Sequence, residues 1–339
     1  MSVYDNESIA SVRKRPAMYV GSTEFFGFIH YVVSAYDLLI QHDATFIEAE
    51  VLSYNSYDIH LKLSSDANVP VIQNEHGQLV LFEAFDTSKP GYGLDGVVAN
   101  ALSDLFELRL SDGKTQTFLK SEMGERLSFQ QIPTDDEQPN IEMRLKADSR
   151  IFSVRTVSPS VLHSYCKRLS CLHPGIIFRI KLGNEVTEYK SENGIQDFFS
   201  AVTTPYQILN KAIHIKAIED DLKLELIFAF HSWTENQIWS FANKGRAPDG
   251  GTHIAGLMEA ISHLQTGDSK SAYGVLAVLA FEYPGVTYEG CIKARVGNPE
   301  LRDRVRKLVT FGIEQWMSEN EAEAKHLPKI ERFQFPSIW

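Results

Sequence analysis

The strongest constraint on the fold is an apolar segment near the start of the chain, FFGFIHYVVSAYDLLI at residues 25–40. Its apolar side chains lie on nearly every side of a helical projection, whereas a surface helix is apolar along one face only. We therefore expect a buried helix, and such a helix has to be covered by other elements of a layered domain.

Strand patterns and helix patterns follow one another in both halves of the chain. The apolar spacing predicts strands at 59–63, 222–231 and 274–283. It predicts helices at 97–106, 158–172, 194–202, 252–264 and 299–319. Runs of strands and helices in each half indicate an α+β protein of two domains, 1–203 and 204–339.

Charge and cysteine content restrict the function. Lys and Arg number 33 against 44 Asp and Glu, so the formal charge is −11 and direct DNA binding is not expected. The 3 cysteines have no metal-ligand spacing. The first residues, MSVYDNESIA, lack a secretory signal pattern, and the most apolar stretch, residues 274–281, is about half a membrane span. We expect a cytoplasmic protein. By spacing alone, the basic cluster Arg13-Lys14-Arg15 predicts a solvated turn.

Four segments go beyond general periodicity. They are VRKRPAMYVG (12–21), VVANALSDLFEL (97–108), FANKGRAPDGGTHIAGL (241–257) and YEGCIKARVGNPELR (288–302). In this order and spacing they resemble the N-terminal ATPase region of the DNA gyrase B subunit and its topoisomerase IV counterpart, within the GHKL group. The resemblance implies a nucleotide-binding α/β sandwich followed by a transducer domain with a left-handed β-α-β crossover.

The resemblance also assigns catalytic positions on the apolar helix. In the family, a glutamate on this helix is the general base for the attacking water, and an asparagine one turn later holds Mg²⁺. The glutamate position falls on Ser34, and the Asp-Asn pair becomes Asp37-Leu38. A serine hydroxyl is not a base at neutral pH, and leucine has no oxygen for magnesium. The sequence therefore predicts that both roles are lost.

The nucleotide-binding loops also depart from the family pattern. Where the family has an aspartate for the adenine amino group, this chain has Ser64-Ser65, with Asp66 two positions late. The glycine-rich lid end is represented by Gly91, Gly93 and Gly96, but Asp95 places a negative charge where phosphates would bind. The same glycines are compatible with an ordinary turn before a helix.

The family's Gln-Thr-Lys triplet, whose lysine contacts the γ-phosphate, reads Cys291-Ile292-Lys293 here. Only the lysine remains. By contrast, Gly250-Gly251-Thr252-His253 is retained and predicts a glycine turn with Thr252 as N-cap and His253 as a packing residue. Pro299 is expected at the first position of the last helix.

These departures favour a stand-alone pseudo-ATPase that needs no cofactor and acts by binding a protein, such as a topoisomerase subunit. The alternative is an ATP-binding, slowly hydrolysing subunit that uses Mg²⁺ and the substitute residues Asp37, Asp66, Gly91, Gly93, Gly96 and Lys293. A third hypothesis is a site adapted to another small ligand, or an acidic mimic of nucleic acid. The sequence ends at Trp339, about where the family's transducer ends, so we expect no DNA-cleaving region. The family's N-terminal arm is short here, which weakens but does not exclude a homodimer.

Overall fold

The computed structural model describes residues 7–73, 79, 81, 94–135, 138–262, 273–290 and 293–327. The chain forms two compact units. Unit 1 comprises Met1–Ser170 and Pro174–Ser191, and unit 2 comprises Cys171–His173 and Glu192–Trp339. The division at residues 191–192 precedes the boundary near residue 203 suggested by the sequence, because Phe198 and Phe199 pack in a core of unit 2.

Unit 1 begins with helices and continues into a large sheet. Its helices are α1 (Glu7–Lys14), α2 (Pro16–Val20), α3 (Phe25–Gln41), α4 (Leu94–Ala101) and α5 (Pro159–Leu172), the last of which ends in unit 2. Its strands are β1 (Phe46–Tyr54), β2 (Ile59–Ser65), β3 (Ser103–Ser111), β4 (Thr115–Glu122), β5 (Glu125–Pro133), β6 (Asn140–Ala147), β7 (Ile177–Leu182) and β8 (Glu185–Tyr189). Within the described residues they form one sheet in the order β5-β4-β3-β6-β2-β1-β7-β8.

The apolar helix lies in the core of unit 1, as its sequence predicts. Phe28, Tyr31 and Leu39 of α3 are fully buried in the same hydrophobic cluster as Leu61 and Leu63 of β2. Burying these side chains removes a large apolar area from water, which is the main stabilising contribution to such a layer. The expected α+β architecture is therefore confirmed for this unit.

The predicted helix over 97–106 is wrong in its second half. Helix α4 ends at Ala101, and β3 begins at Ser103. From Phe106 onward the buried residues alternate, with Leu108 and Leu110 following at a period of two, and β3 pairs with both β4 and β6. Because β3 pairs with a strand on each side, its backbone N–H and C=O groups are satisfied in the extended conformation. This pairing outweighs the helical preference that the local sequence pattern indicates.

The basic cluster near the N-terminus is likewise not a simple solvated turn. Arg13 donates from Nη2 to Asp148 Oδ2 at 2.6 Å and from Nη1 to the carbonyl oxygen of Ala101. Asp148 is fully buried and also accepts two hydrogen bonds from the Arg150 guanidinium. Burial alone would raise the pKa of Asp148, but the hydrogen bonds from Arg150 and Arg13 outweigh it and lower that pKa.

Unit 2 contains a smaller sheet with helices on both of its faces. Its helices are α6 (Ile195–Thr203), α7 (Thr252–Ser262), α8 (Pro299–Glu319) and α9 (Glu321–Ala324). Its strands are β9 (Ile213–Glu219), β10 (Leu222–His231), β11 (Gln237–Ala242), β12 (Gly245–Arg246) and β13 (Gly274–Glu282). Within the described residues, the sheet order is β12-β11-β13-β10-β9.

The β-α-β arrangement expected for a transducer is present in unit 2. Strands β11 and β13 are parallel neighbours in the sheet, and α7 lies between them in sequence. Two buried clusters flank the sheet: α7 and α8 contribute to one, and α6 contributes to the other. In the described parts of both units, no helix combines the length and apolar content that a membrane span requires.

Candidate functional site

Ser34, at the position where the resemblance places the general base, lies on the buried side of α3. It is 6% exposed, and its hydroxyl donates to the carbonyl oxygen of Tyr31 at 2.7 Å. This bond to the preceding helical turn is typical of serine within helices. The hydroxyl proton is thus already donated to a backbone carbonyl, and serine supplies no carboxylate to accept a proton from water.

Leu38, at the position of the magnesium-ligand asparagine, is 4% exposed and belongs to the main hydrophobic cluster of unit 1. Because α3 has 3.6 residues per turn, Leu38 lies one turn beyond Ser34 on the same side of the helix. Mg²⁺ needs oxygen ligands, and a packed leucine offers none. The residues at these two α3 positions therefore do not fit a magnesium-bound nucleotide.

Asp37 is half-buried on α3, between these two positions. The pKa of the Tyr165 phenol on α5 is raised mainly by burial. The negative charge of Asp37 is the second cause. Asp95 adds to the same effect. Two carboxylates thus lie within electrostatic range of one phenol in the part of unit 1 that the resemblance assigns to nucleotide.

Asp66 directly follows β2, and its side chain is hydrogen-bonded to the backbone at the start of β1. Its carboxylate accepts hydrogen bonds from the backbone N–H of Thr45 at 2.9 Å and of Phe46 at 3.0 Å, and from the Thr45 hydroxyl. The next loop residues, Ala67 and Val69, are fully buried. Asp66 is therefore engaged in joining two strands, a role that accounts for an aspartate at this position without any ligand.

Gly96 lies in the first turn of α4, and Gly91 and Gly93 are outside the described residues. A Cβ at Gly96 would lie 2.6 Å from the carbonyl oxygen of Leu81, so close packing requires glycine here. Asp95 accepts a hydrogen bond from Gln41 Nε2 at 2.8 Å. The beginning of α4 therefore carries its own carboxylate, which would repel a phosphate.

Lys293 is exposed in unit 2, and its neighbours Cys291 and Ile292 lie outside the described residues. Its backbone is left-handed, with a φ of 56°. For a residue other than glycine this conformation costs about 1–2 kcal/mol. Within the described chain Lys293 forms no ion pair. Among the described residues at these positions, an unpaired cation on a strained turn is the one feature that suits an anionic ligand.

The retained glycine motif is structural. A Cβ at Gly251, where φ is 127°, would collide with the carbonyl oxygen of Val296. His253 is fully buried, with its ring 5.1 Å from that of Phe281. Burial, and then the charge of Arg295, lowers the pKa of His253 to about 3, so the imidazole is neutral at ordinary pH.

The predicted helix caps in unit 2 are partly wrong. Thr252 is the first residue of α7, not its N-cap, and its buried hydroxyl has no hydrogen-bond partner in the described structure. Pro299 is the first residue of α8, as predicted. Just before it, Asn298 Oδ1 accepts a hydrogen bond from the N–H of Thr287 at 2.6 Å. This side chain therefore bonds to the loop that precedes α8 and makes no capping hydrogen bond to the helix.

Sequence reasoning missed the cluster of Arg13, Asp148 and Arg150. Arg13 belongs to the first of the four motifs, which was the available signal, but its partner lies 135 residues away. Only the fold brings these groups together. The cluster fixes α1 to the end of α4 through the carbonyl of Ala101.

Comparison with known proteins agrees with this architecture. Residues 194–330 match the family model for DNA gyrase B. The DNA gyrase B protein of Thermotoga maritima is 26% identical over 91% of this chain and 56% of its own length. Its counterpart from Campylobacter jejuni is 26% identical over 94% of this chain and 46% of its own length. The chain thus spans about half the length of the curated relatives it matches.

Solved structures show the same fold. The 43K ATPase domain of Thermus thermophilus gyrase B, solved with an aminocoumarin, superposes with a TM-score of 0.72 at 20% identity, covering 94% of this chain and 92% of that one. The gyrase B protein of Myxococcus xanthus gives a TM-score of 0.74 at 20% identity, covering 94% and 99%. The chain therefore resembles gyrase B over more than nine-tenths of its length, and it has the GHKL-type fold of the gyrase B ATPase and transducer region.

Proposed function

We propose that this protein is a gyrase-B-like pseudo-ATPase, which acts through protein contacts in the type II topoisomerase machinery. The main observation behind the proposal is the identity and surroundings of the residues at positions 34 and 38 of α3. The base position is a serine bonded to the helix backbone, and the magnesium position is a leucine packed in the core. No cofactor is required by this function.

The size of the chemical loss supports this proposal. A positioned general base contributes about 10²–10⁴ in rate, and preorganised charge stabilisation contributes a comparable factor. Both are missing at the α3 positions, while Asp66 is used in joining β1 to β2. Lys293 alone offers a single cation, which does not activate water.

The context of the relatives supports a partner from the same machinery. The matched proteins are DNA gyrase B proteins, so a module with their fold is suited to bind what gyrase B binds, without ATP turnover. Titration against purified gyrase and topoisomerase IV subunits of the source organism tests this part. We expect saturable binding to at least one subunit, and no binding to any of them would contradict it.

The ATPase part is tested by thermal unfolding with Mg·ATP and with a non-hydrolysable analogue. A ligand at a thousandfold excess over its Kd would stabilise the folded chain by about 4 kcal/mol. We expect no shift in Tm and no release of phosphate. The 43K ATPase domain of Thermus thermophilus gyrase B is the positive control.

The contrary outcome is also specific. A Tm shift that is abolished by Lys293→Ala or by Asp66→Ala would replace the proposal with an ATP-binding subunit that uses Mg²⁺ and the substitute residues. The other candidates in that set are Asp37, Gly91, Gly93 and Gly96.

A further inference from the structure

Five exposed apolar side chains of unit 1 lie on α2, in the first turn of α3, at the end of β1 and in the turn that follows β1. We call them the aromatic end: Met18, Phe25, Phe26, Tyr54 and Tyr57. Phe26 and Tyr57 are each 75% exposed, and the rings of Phe25 and Phe26 meet edge to face at 5.6 Å. Single exposed apolar residues need no explanation, but a group of them indicates an interaction site.

A short segment, residues 153–156, holds the two parts of this end together. The N–H of Ser153 donates to the carbonyl oxygen of Thr23 at 3.0 Å, just before α3. At the other side of the segment, the hydroxyl of Thr156 donates to the carbonyl oxygen of Asn55 at 3.1 Å, in the turn between β1 and β2. The three residue steps from 153 to 156 span at most about 11 Å. The chain just before Phe25 and Phe26 and the turn between Tyr54 and Tyr57 are therefore both bonded to the same short segment.

The backbone that carries Phe25 and Phe26 is fixed. The hydroxyl of Ser22 accepts hydrogen bonds from the N–H of Glu24 at 3.3 Å and of Gly27 at 3.1 Å. A Cβ at Gly27 would collide with the carbonyl oxygen of Ser22, so the loop packs directly against the first turn of α3. Anchors on a fixed backbone lose little conformational entropy when a partner binds.

The turn that carries Tyr57 is fixed in a similar way. Asn55 Oδ1 accepts from the N–H groups of Tyr57 at 2.7 Å and of Asp58 at 2.9 Å. Asp58 in turn accepts from Arg155 Nε at 2.6 Å. The exposed Tyr57 ring thus projects from a turn whose backbone is bonded on both sides.

Two cations without an ion-pair partner among the described residues lie beside this end, although the whole chain carries −11. Lys14 and Arg15 are exposed, and neither has an ion-pair partner among the residues described. They lie next to Met18, whose N–H donates to the carbonyl oxygen of Arg15. Two acids also lie close to this end. Glu24 is the N-cap residue of α3, where the helix dipole partly offsets a negative charge, and Asp58 is paired with Arg155.

Many charges on the exposed face of the unit 1 sheet are paired. Seven described side chains form one continuous row across neighbouring strands: Lys181, Glu50, Lys62, Glu142, Arg144, Glu107 and Lys120. Paired charges attract a partner less than unpaired ones do. Unlike this row, the aromatic end combines exposed rings with cations that have no ion-pair partner among the described residues.

We propose that the aromatic end binds an acidic protein segment that carries apolar anchors. This inference rests on the proposed function as a protein-interaction module and names the surface and the chemistry of its partner. The apolar anchors pack against Phe26 and Tyr57, and the carboxylates of the segment are attracted by Lys14 and Arg15.

The test uses the full chain and two synthetic amphipathic peptides with the same leucine and tryptophan anchors. One peptide has Asp and Glu between the anchors, and the other has Lys at those positions. Calorimetric titration is expected to show binding of the acidic peptide, about tenfold tighter than the lysine peptide. Phe26→Ser and Tyr57→Ser, each tested separately, are expected to weaken it about tenfold.

Phe311→Ser is the matched control, because Phe311 is 67% exposed but lies on α8 of unit 2. It is expected to leave binding unchanged, whereas Arg15→Glu is expected to reverse the preference for the acidic peptide. Absence of binding, equal binding of both peptides, or unchanged binding by both ring variants would overturn the proposal. Circular dichroism of each variant checks its fold. None of these results depends on nucleotide, so the pseudo-ATPase proposal stands or falls separately.

Discussion

At the residue scale, three side chains at positions that the resemblance assigns to nucleotide or magnesium have structural roles. Ser34 is bonded to its own helix, Leu38 fills the core, and Asp66 joins two strands. Each role is complete without a ligand, because the polar groups have partners inside the protein and the apolar group is buried. A packed side chain at such a position contributes stability that an open pocket lacks.

Leu38→Asn tests whether the magnesium position is filled. Placing the family's amide in this apolar surrounding should reduce the free energy of unfolding by about 2–4 kcal/mol, because packing is lost and a polar group is buried. Ser34→Ala is the matched control, with a cost below about 1 kcal/mol, because the Tyr31 carbonyl is already part of a helix.

Urea unfolding followed by circular dichroism measures both variants. If Leu38→Asn were as stable as the natural protein, position 38 would face a hydrated cavity, and the case for a filled site would fail.

At the scale of secondary-structure elements, α1 is attached to the rest of unit 1 through a buried charge. Asp148 joins Arg13 of α1 to Arg150, and its own N–H donates to the carbonyl oxygen of Leu102 at 2.9 Å. A buried carboxylate between two guanidiniums is strongly destabilising to remove, since both cations lose their partner.

Asp148→Asn should therefore lower the free energy of unfolding by about 2–3 kcal/mol at neutral pH. The pKa of Asp148 is lowered in the folded state, so its contribution is present above the ordinary aspartate pKa of 3.8 and is lost as the pH falls through the folded value. The difference between variant and natural protein should thus shrink below about pH 4.

Denaturant titrations across this pH range measure the effect. Asp104→Asn is the control, because Asp104 pairs with Lys146 at 3.2 Å but its side chain is 36% exposed, and exposed pairs contribute little. A constant difference from neutral to acid pH would argue against ionised Asp148 as the cause.

At the scale of the whole molecule, the charge of −11 determines which large partners are attracted. Several arginines of unit 2 are already paired with acids, as Arg304 is with Glu219 at 2.9 Å and Asp221 at 3.0 Å. Binding to a phosphate backbone depends on unpaired cations that release counterions. The cations beside the aromatic end are too few to compensate.

We accordingly expect no measurable binding of duplex DNA at physiological salt, as followed by fluorescence anisotropy. Binding at very low salt would disappear steeply as salt is added, because about one counterion is released per phosphate contact. A salt-resistant, saturable complex with DNA would show that net charge is the wrong guide here.

Much of the fold could be read from local patterns in the sequence. The all-round apolar character of residues 25–40 indicated the buried helix α3, and the bounds of α8 follow its amphipathic period and Pro299. The glycine turn at Gly250 and Gly251 was recognisable because few other residues fit such backbone angles. The substitutions at positions 34 and 38 were likewise visible, since the chemistry of serine and leucine is independent of the fold.

The sequence by itself therefore determined the class of fold, and it predicts the loss of a base and a magnesium ligand at the positions that the resemblance assigns. The tertiary structure decided which distant groups bond to one another: Asp66 bonds to residues 20 and 21 positions away, and Arg13 bonds to one 135 positions away. It also decided that the chain after Ala101 is a strand. The physical reason is that periodicity records contacts within an element, whereas hydrogen bonds and ion pairs between distant segments form only once the chain has folded.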